Sequence, residues 1–267
     1  MKSNIFKAGM LSAFLLGSAM VFTSCEDATE ATPEVNQGDE ISASVLQRLE
    51  DLQFNTEGIK KVGDDYLVEG DMIITPEALA NMAEPTIVEG PQGEQYRTYN
   101  LVSTPRTIRV RGYGLNSTMS QGLDMAIANY NALNMGLSFV RTTGSYDILV
   151  RSYGSGAGGV AGFPTGNGAP YSQVNVYPGT ASYGVNVIEH VMTHEIGHCL
   201  GLRHTDYMNR SYSCGSGGNE GSGGVGAVNI PGTPSGIDSQ SIMLSCFSAN
   251  EDGEFSYYDR VALEYLY

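Results

Sequence analysis

Apolar side chains recur along this chain at two spacings, and each spacing marks a kind of element. Over 41 to 54, Ile41, Val45, Leu49 and Leu52 return at helical intervals, which predicts a short amphipathic helix. Residues 60 to 68 flank Gly63-Asp64-Asp65 as a hairpin would. Thr75-Pro76 is a cap and first-turn pair for a helix reaching about residue 82. Three prolines and two glycines within 84 to 105 read as a connector, so residues 41 to 83 are expected to form a small unit of their own. Strand patterns follow at 107 to 111, 137 to 141, 147 to 151 and 173 to 177. Helical stripes lie between and after them, at 117 to 134 (Leu123, Ile127, Tyr130) and 186 to 202. The glycine-dense stretch 154 to 168 encloses Val160, Ala161 and Phe163, which predicts an exposed edge strand inside a flexible loop. A Gly and Ser-rich loop runs from 206 to 239, and Ser256-Tyr257-Tyr258-Asp259 has the form of a capping box opening a terminal helix. Strands and helices in this order predict an α+β fold, a mixed twisted sheet with helices packed on it.

The first 24 residues have a different character. Lys2 and Lys7 precede an uncharged apolar run from Ala8 to Phe22, the make-up of an export signal, and the run is short for a membrane span. Phe22-Thr23-Ser24-Cys25 resembles the lipobox of bacterial lipoproteins, in which the cysteine becomes the lipidated first residue, although Phe22 stands where leucine is usual and Thr23 is large for its place. The alternative is cleavage nearby with a free Cys25. Glu26 and Asp27 resemble the acidic signals that send some lipoproteins outward. The expectation is an exported bacterial lipoprotein at the outer membrane or cell surface, held only by its lipid or released from it, with residues 25 to 40 as a tether.

Composition narrows the choice further. With 41% hydrophobic residues in 267, the chain can build a real core, which excludes wholesale disorder. A formal charge of -15 repels nucleic acid. High glycine and tyrosine with no tryptophan favour a loop-rich, extended-strand protein.

The chemistry lies in His194-Glu195-Ile196-Gly197-His198-Cys199-Leu200-Gly201-Leu202-Arg203-His204, which fits H-E-x-x-H-x-x-G-x-x-H. Histidines four apart on a helix stand about 6 Å from each other along it, so both can reach one ion. Gly201 falls where the helix must end, and without a Cβ it can turn the chain and bring His204 round as third ligand. Three neutral imidazoles leave the fourth position of a Zn²⁺ open to water, the mark of a catalytic site. Glu195 is placed to take that water's proton as general base. Five fixed positions arise by chance in such a chain on the order of once in ten thousand. His190 lies about 12 Å along the helix from His198 and cannot share the ion, so it reads as a packing or supporting residue.

These residues resemble a metzincin zinc peptidase, and HEIGH followed by His204-Thr205-Asp206 is similar to the bacterial HEIGH metallopeptidases. The resemblance covers about residue 66 to the C-terminus. It implies a metzincin-like catalytic domain over 106 to 267, with protein or peptide substrates. It also implies a methionine turn beneath the metal, for which Ser241-Ile242-Met243 qualifies, the alternative being a core methionine. Ser245 stands where some metzincins carry an assisting tyrosine, so no such tyrosine is assigned. Gly159, Val160 and Ala161 resemble the edge strand along which substrates lie extended, and residues 255 to 267 resemble the last helix of the matrixin group. Val68-Glu69-Gly70-Asp71 is similar to the astacin pro-segment motif, whose aspartate covers the zinc, which would make 41 to 105 a pro-segment with its connector and Asp71 a latency switch. A plain Gly70-Asp71 turn is the equal alternative. Asp206 either braces the zinc loop, caps a helix or lies on the surface.

Cysteines 199, 214 and 246 remain after lipidation. Cys199, within the zinc helix, reads as a small buried side chain, and Cys214 with Cys246 as a disulfide in an oxidising compartment. Calcium is left undecided, since acidic loops occur but none has EF-hand spacing, and so is the oligomeric state. The competing reading of function is a non-catalytic, zinc-stabilised surface lipoprotein that binds host or glycan partners; Glu195 separates the two, because a structural site needs no base.

Overall fold

The structure is a computed structural model that describes residues 40–82 and 95–267. The export segment, Cys25, nearly all of the tether and much of the connector lie outside the described residues.

Helix α1 (Ala43–Asp51) starts at Ser42, whose hydroxyl accepts from Val45 N, and buries Leu49. Strands β1 (Lys60–Val62) and β2 (Asp65–Val68) form the expected hairpin, and β3 (Met72–Ile74) pairs antiparallel with β2. Thr75 caps α2 (Pro76–Asn81) as its sequence suggested. Within the stretch read as a connector lies β4 (Tyr96–Arg97), and beyond it come β5 (Arg106–Tyr113), α3 (Ser117–Asn131), β6 (Leu137–Arg141), β7 (Ile148–Ser152), β8 (Gly159–Ala161) and β9 (Gln173–Val176). A 3-10 turn over Pro178–Tyr183 leads into α4 (Val185–Leu200), followed by α5 (Ser211–Cys214), β10 (Val228–Asn229) and α6 (Tyr257–Leu266).

Among the described residues, eight strands make one mixed sheet in the order β1-β2-β3-β8-β9-β7-β5-β6. The central pairs β6/β5, β5/β7 and β7/β9 are parallel, while β8 runs antiparallel to β9. Parallel strands need both faces covered, and their inward residues, among them Ile108, Val110, Ile148, Val150, Val174 and Val176, are wholly buried. Helices α3 and α4 pack on each other at Gly122, where any Cβ would meet the Ile188 side chain. Each such aliphatic side chain contributes about 1.5–3 kcal/mol by leaving water. The α+β architecture with a mixed sheet is therefore the one the periodicity predicts.

Two expectations are corrected. Gly159, Val160 and Ala161 do not form an exposed edge, because β3 lies parallel to β8 on its outer side, with Met72 opposite Ala161 and Ala161 N donating to Asp71 O at 3.0 Å. A bare strand edge is a row of unpaired amides and carbonyls, and Met72, Ile73 and Ile74, all buried, supply a strand that satisfies it. Residues 41 to 83 are likewise no separate unit. Their core of Leu49, Leu52, Phe54, Val68, Met72, Ile74 and Leu79 closes over Phe163 from the later part of the chain, and their strands extend the same sheet.

Candidate metal centre

Helix α4 is buried almost from end to end because it is pressed between α3 and the sheet. One face carries His194 and His198, four residues apart. The helix stops at Gly201, which takes φ +110°; its N–H donates to the carbonyls of Gly197 and His198. A Cβ there would lie 2.8 Å from Thr98 Oγ1, so both the backbone and the packing require glycine. The chain then pairs back on β4, where Leu202 bridges Arg97 and Arg203 N donates to Tyr96 O at 2.8 Å, and this turn delivers His204.

All three imidazoles are fixed through Nδ1. That of His194 contacts Ile242 O at 2.8 Å, that of His198 contacts Leu202 O at 2.8 Å, and that of His204 contacts Glu220 Oε1 at 2.6 Å. With oxygen acceptors at every Nδ1, the protons belong there and the Nε2 lone pairs are left for a ligand. Those of His198 and His204 are 3.2 Å apart. Asp71, from the turn between β2 and β3, joins them: its Oδ2 lies 3.0 Å from His204 Nε2 and 4.0 Å from His194 Nε2. One donor atom from each of Asp71, His194, His198 and His204 falls within 4.8 Å of the others, a grouping able to hold a metal ion. Three nitrogens and one carboxylate oxygen, buried, with Asp71 Oδ1 lacking any hydrogen-bond partner, are the donor set and number that zinc takes.

Glu195 is buried beside this group and its Oε2 has no partner. Gly159 of β8 makes its room, since a Cβ there would lie 2.7 Å from Glu195 Oε1. Burial, and then Asp71, push the Glu195 carboxyl well above the usual carboxylate range, against a smaller pull from His204. Burial holds His194 down to about 4, with His204 adding to it, and pulls His198 down as well. At His204 burial acts the same way but is outweighed by the carboxylates of Asp71 and Glu220, which push its pKa well above the usual imidazole range. A cavity of about 270 Å³ opens next to Glu195, walled by Gly158, Tyr177, Val191, Arg210, Leu244 and Phe247.

Met243 lies buried under the group, and Gly197 is bare where Met243 Sδ approaches, 2.7 Å from where a Cβ would be. Its turn is held by Asp259, which accepts from Ser241 Oγ, Ile242 N and Gln95 Nε2 while closing the capping box of α6. His190 stacks 6.5 Å from His194 and lies outside the metal group, with Glu251 at 3.7 Å. Asp206 is buried and braces the turn, accepting from Ser245 N and Oγ and from Ser213 Oγ. Cys214 and Cys246 are joined, which ties α5 to the residues after Met243, and Cys199 is free and buried.

Sequence reasoning missed Glu220. It is fully buried, takes the His204 Nδ1 proton's hydrogen bond and lies 3.4 Å from Arg203. Burial alone would raise its pKa, but His204, Arg203 and Arg210 hold it down to about 2. The available signal was that Glu220 is the lone acid between Asp206 and Asp238 in a glycine-rich stretch. A carboxylate behind a ligating imidazole fixes its tautomer and direction. Glu220→Ala is expected to weaken zinc binding about 10- to 100-fold in competition with a chromophoric chelator, and an unchanged affinity would show that His204 needs no such support.

Among curated proteins no sequence matches. Solved structures that resemble the chain include myroilysin, at 18% identity over 63% of this chain and 82% of that one with a TM-score of 0.44. Another is high choriolytic enzyme 1, a hatching enzyme zinc-protease from the medaka fish Oryzias latipes, at 18% identity over 60% of this chain and 88% of that one with a TM-score of 0.38. The family described as dual-action HEIGH metallo-peptidases matches residues 66–267, well over half of the chain. The chain belongs to that family and is a metallopeptidase.

Proposed function

We propose that this protein is a zinc endopeptidase made in a latent form, cutting protein or peptide chains once its N-terminal residues no longer cover the metal. Its ligands would be His194, His198 and His204 through Nε2, since each Nδ1 is already committed to a carbonyl or carboxylate oxygen. Zinc, when bound, supplies Lewis acidity, bringing water's pKa down to about 7 and polarising a peptide carbonyl. Glu195 supplies the proton transfers: it follows His194 on the same helical turn, has an unpartnered Oε2, and can take a proton from the attacking water and hand it to the leaving amine. The cavity beside it gives a substrate side chain somewhere to lie.

Latency is supported by Asp71 and β3 together. Asp71 would serve as a fourth donor beside the three imidazoles, the place a catalytic zinc leaves to water, and β3 pairs with the strand an extended substrate would use. The single observation that carries the proposal is the convergence of three oriented imidazoles and one aspartate on one point, with a buried glutamate beside them. The test is cleavage of a quenched casein substrate by the proteolytically processed protein, with and without chelator. Cleavage that chelator abolishes and zinc restores is expected; no chelator-sensitive cleavage from a zinc-loaded, processed protein would leave a binding role instead.

A further inference from the structure

The glycines of the loop after Glu220 are placed against the N-terminal residues. A Cβ on Gly221 would strike the Gln53 carbonyl, and one on Gly223 would enter the Phe54 ring. On Gly224 it would lie 2.5 Å from Met82 Cβ and 2.9 Å from Leu52 Cδ2. Ser222 Oγ donates to Gln53 Oε1 at 3.1 Å. A stretch whose composition suggests slack chain is thus a fitted surface.

Arg203 gives that surface its shape. Its guanidinium is fully buried, donating from Nη1 to the carbonyls of Ser222 and Gly226, both at 2.9 Å, and from Nη2 to Gly221 O at 3.2 Å. Two carboxylates share its remaining charge. Glu220 Oε2, at 3.4 Å, belongs to the loop and through Oε1 supports His204. Glu69 Oε2, at 3.9 Å, comes from the N-terminal residues, two positions before Asp71. Glu69 accepts from Asn55 N at 3.0 Å, is buried, and holds φ +56°, a region non-glycine residues seldom enter. Its Oε2 has no hydrogen bond; burial and then the neighbouring Glu220 push this carboxyl well above the usual carboxylate range, and the charge of Arg203, 3.9 Å away, is what pulls it back. A buried carboxylate and guanidinium are costly to separate, because either one left alone is an uncompensated charge.

We propose that residues 220–226, organised by Arg203, are the docking seat for the chain's own residues 49–82. Glu69 is the latch on that seat, and Glu220 passes its occupancy to the third imidazole. The proposal rests on the latent-enzyme reading above but is separate from Asp71, whose side chain faces His204 and His194 at the metal group. With Glu69 in place Arg203 is divided between two acids; with Glu69 gone it pairs with Glu220 alone, and the grip on His204 changes.

The test uses the full-length, zinc-loaded chain and two substitutions. Glu69→Gln keeps shape and the bond from Asn55 but removes the charge. Gly224→Ala adds one methyl at a position whose φ lies outside the left-handed region. Both are expected to speed amide hydrogen exchange in 49–54 and 65–74 at least tenfold while α3 keeps its protection, which shows that the rest of the fold is intact. Glu69→Gln is also expected to change the rate of zinc release to a chromophoric chelator at least threefold. Asp71→Ala should leave exchange in 49–54 within about twofold of the parent. Exchange unchanged in both latch variants, or lost equally in Asp71→Ala, would overturn the seat; zinc release unchanged in Glu69→Gln despite faster exchange would overturn the coupling. If the zinc-loaded protein freed of its N-terminal residues is no more active than the uncut chain, it is the latency reading that fails, and the exchange results stand apart from it.

Discussion

Glu195→Gln in the processed, zinc-loaded protein is expected to lower kcat/KM by about 10²- to 10⁴-fold, the range that a positioned acid–base group contributes, while zinc content stays at the parent's level. The amide keeps the shape of the carboxylate, and Gly159 leaves the same space around it, so the cavity and the three imidazoles are undisturbed. What is lost is the ability to take a proton. The substitution also separates catalysis from folding. In the metal-free chain burial raises the Glu195 pKa, so the folded state holds its proton over a pH range in which the unfolded chain has lost it. That costs nothing below the ordinary carboxylate range, and the cost grows as pH rises towards the folded value. The metal-free Gln variant should therefore melt at an equal or higher temperature than the parent at neutral pH, with the difference vanishing in acid. Retained hydrolysis with zinc bound would remove Glu195 from the chemistry.

The parts of this molecule legible from its residues are those in which the signal is local. Helix α4 and its stop at Gly201 follow from spacing and from one missing Cβ, and the N-cap of α2 and the capping box of α6 are read from adjacent side chains. The histidines could be grouped because a helical repeat and a tight turn bring them together within eleven residues. Contacts across long separations were not legible. β3 is three apolar residues without alternation, and nothing in Met72-Ile73-Ile74 announces that its partner is Ala161, so β8 read as an edge. The two-residue ribbon of β4 and β10 that carries Arg203 back is too short to have a period. Glu220 lies in a loop whose glycines suggested slack, yet their bareness is what admits Leu52, Gln53 and Phe54. In each case the missing information was the identity of the surface across the gap.

Asp71→Ala in the uncut full-length chain is expected to raise hydrolysis of a short quenched peptide at least about tenfold, equal to ~1.4 kcal/mol of blocking interaction removed. The side chain is suited to be removed cleanly. Its Oδ2 faces His204 and His194 and its Oδ1 has no hydrogen-bond partner, so the loss falls on the metal group and little on the fold. The strand contact made by the Asp71 backbone, Ala161 N to Asp71 O, survives the substitution, and β3 still covers β8. The gain should accordingly be partial for a peptide long enough to need that strand and larger for a short one. Asp71→Asn, which keeps an oxygen but not the charge, should fall between parent and alanine. Removal of the N-terminal residues should exceed all three, because it clears strand and carboxylate together. If the alanine variant is as silent as the parent on both peptides while the processed protein cleaves them, the covering strand alone keeps the enzyme latent and Asp71 is only a turn residue.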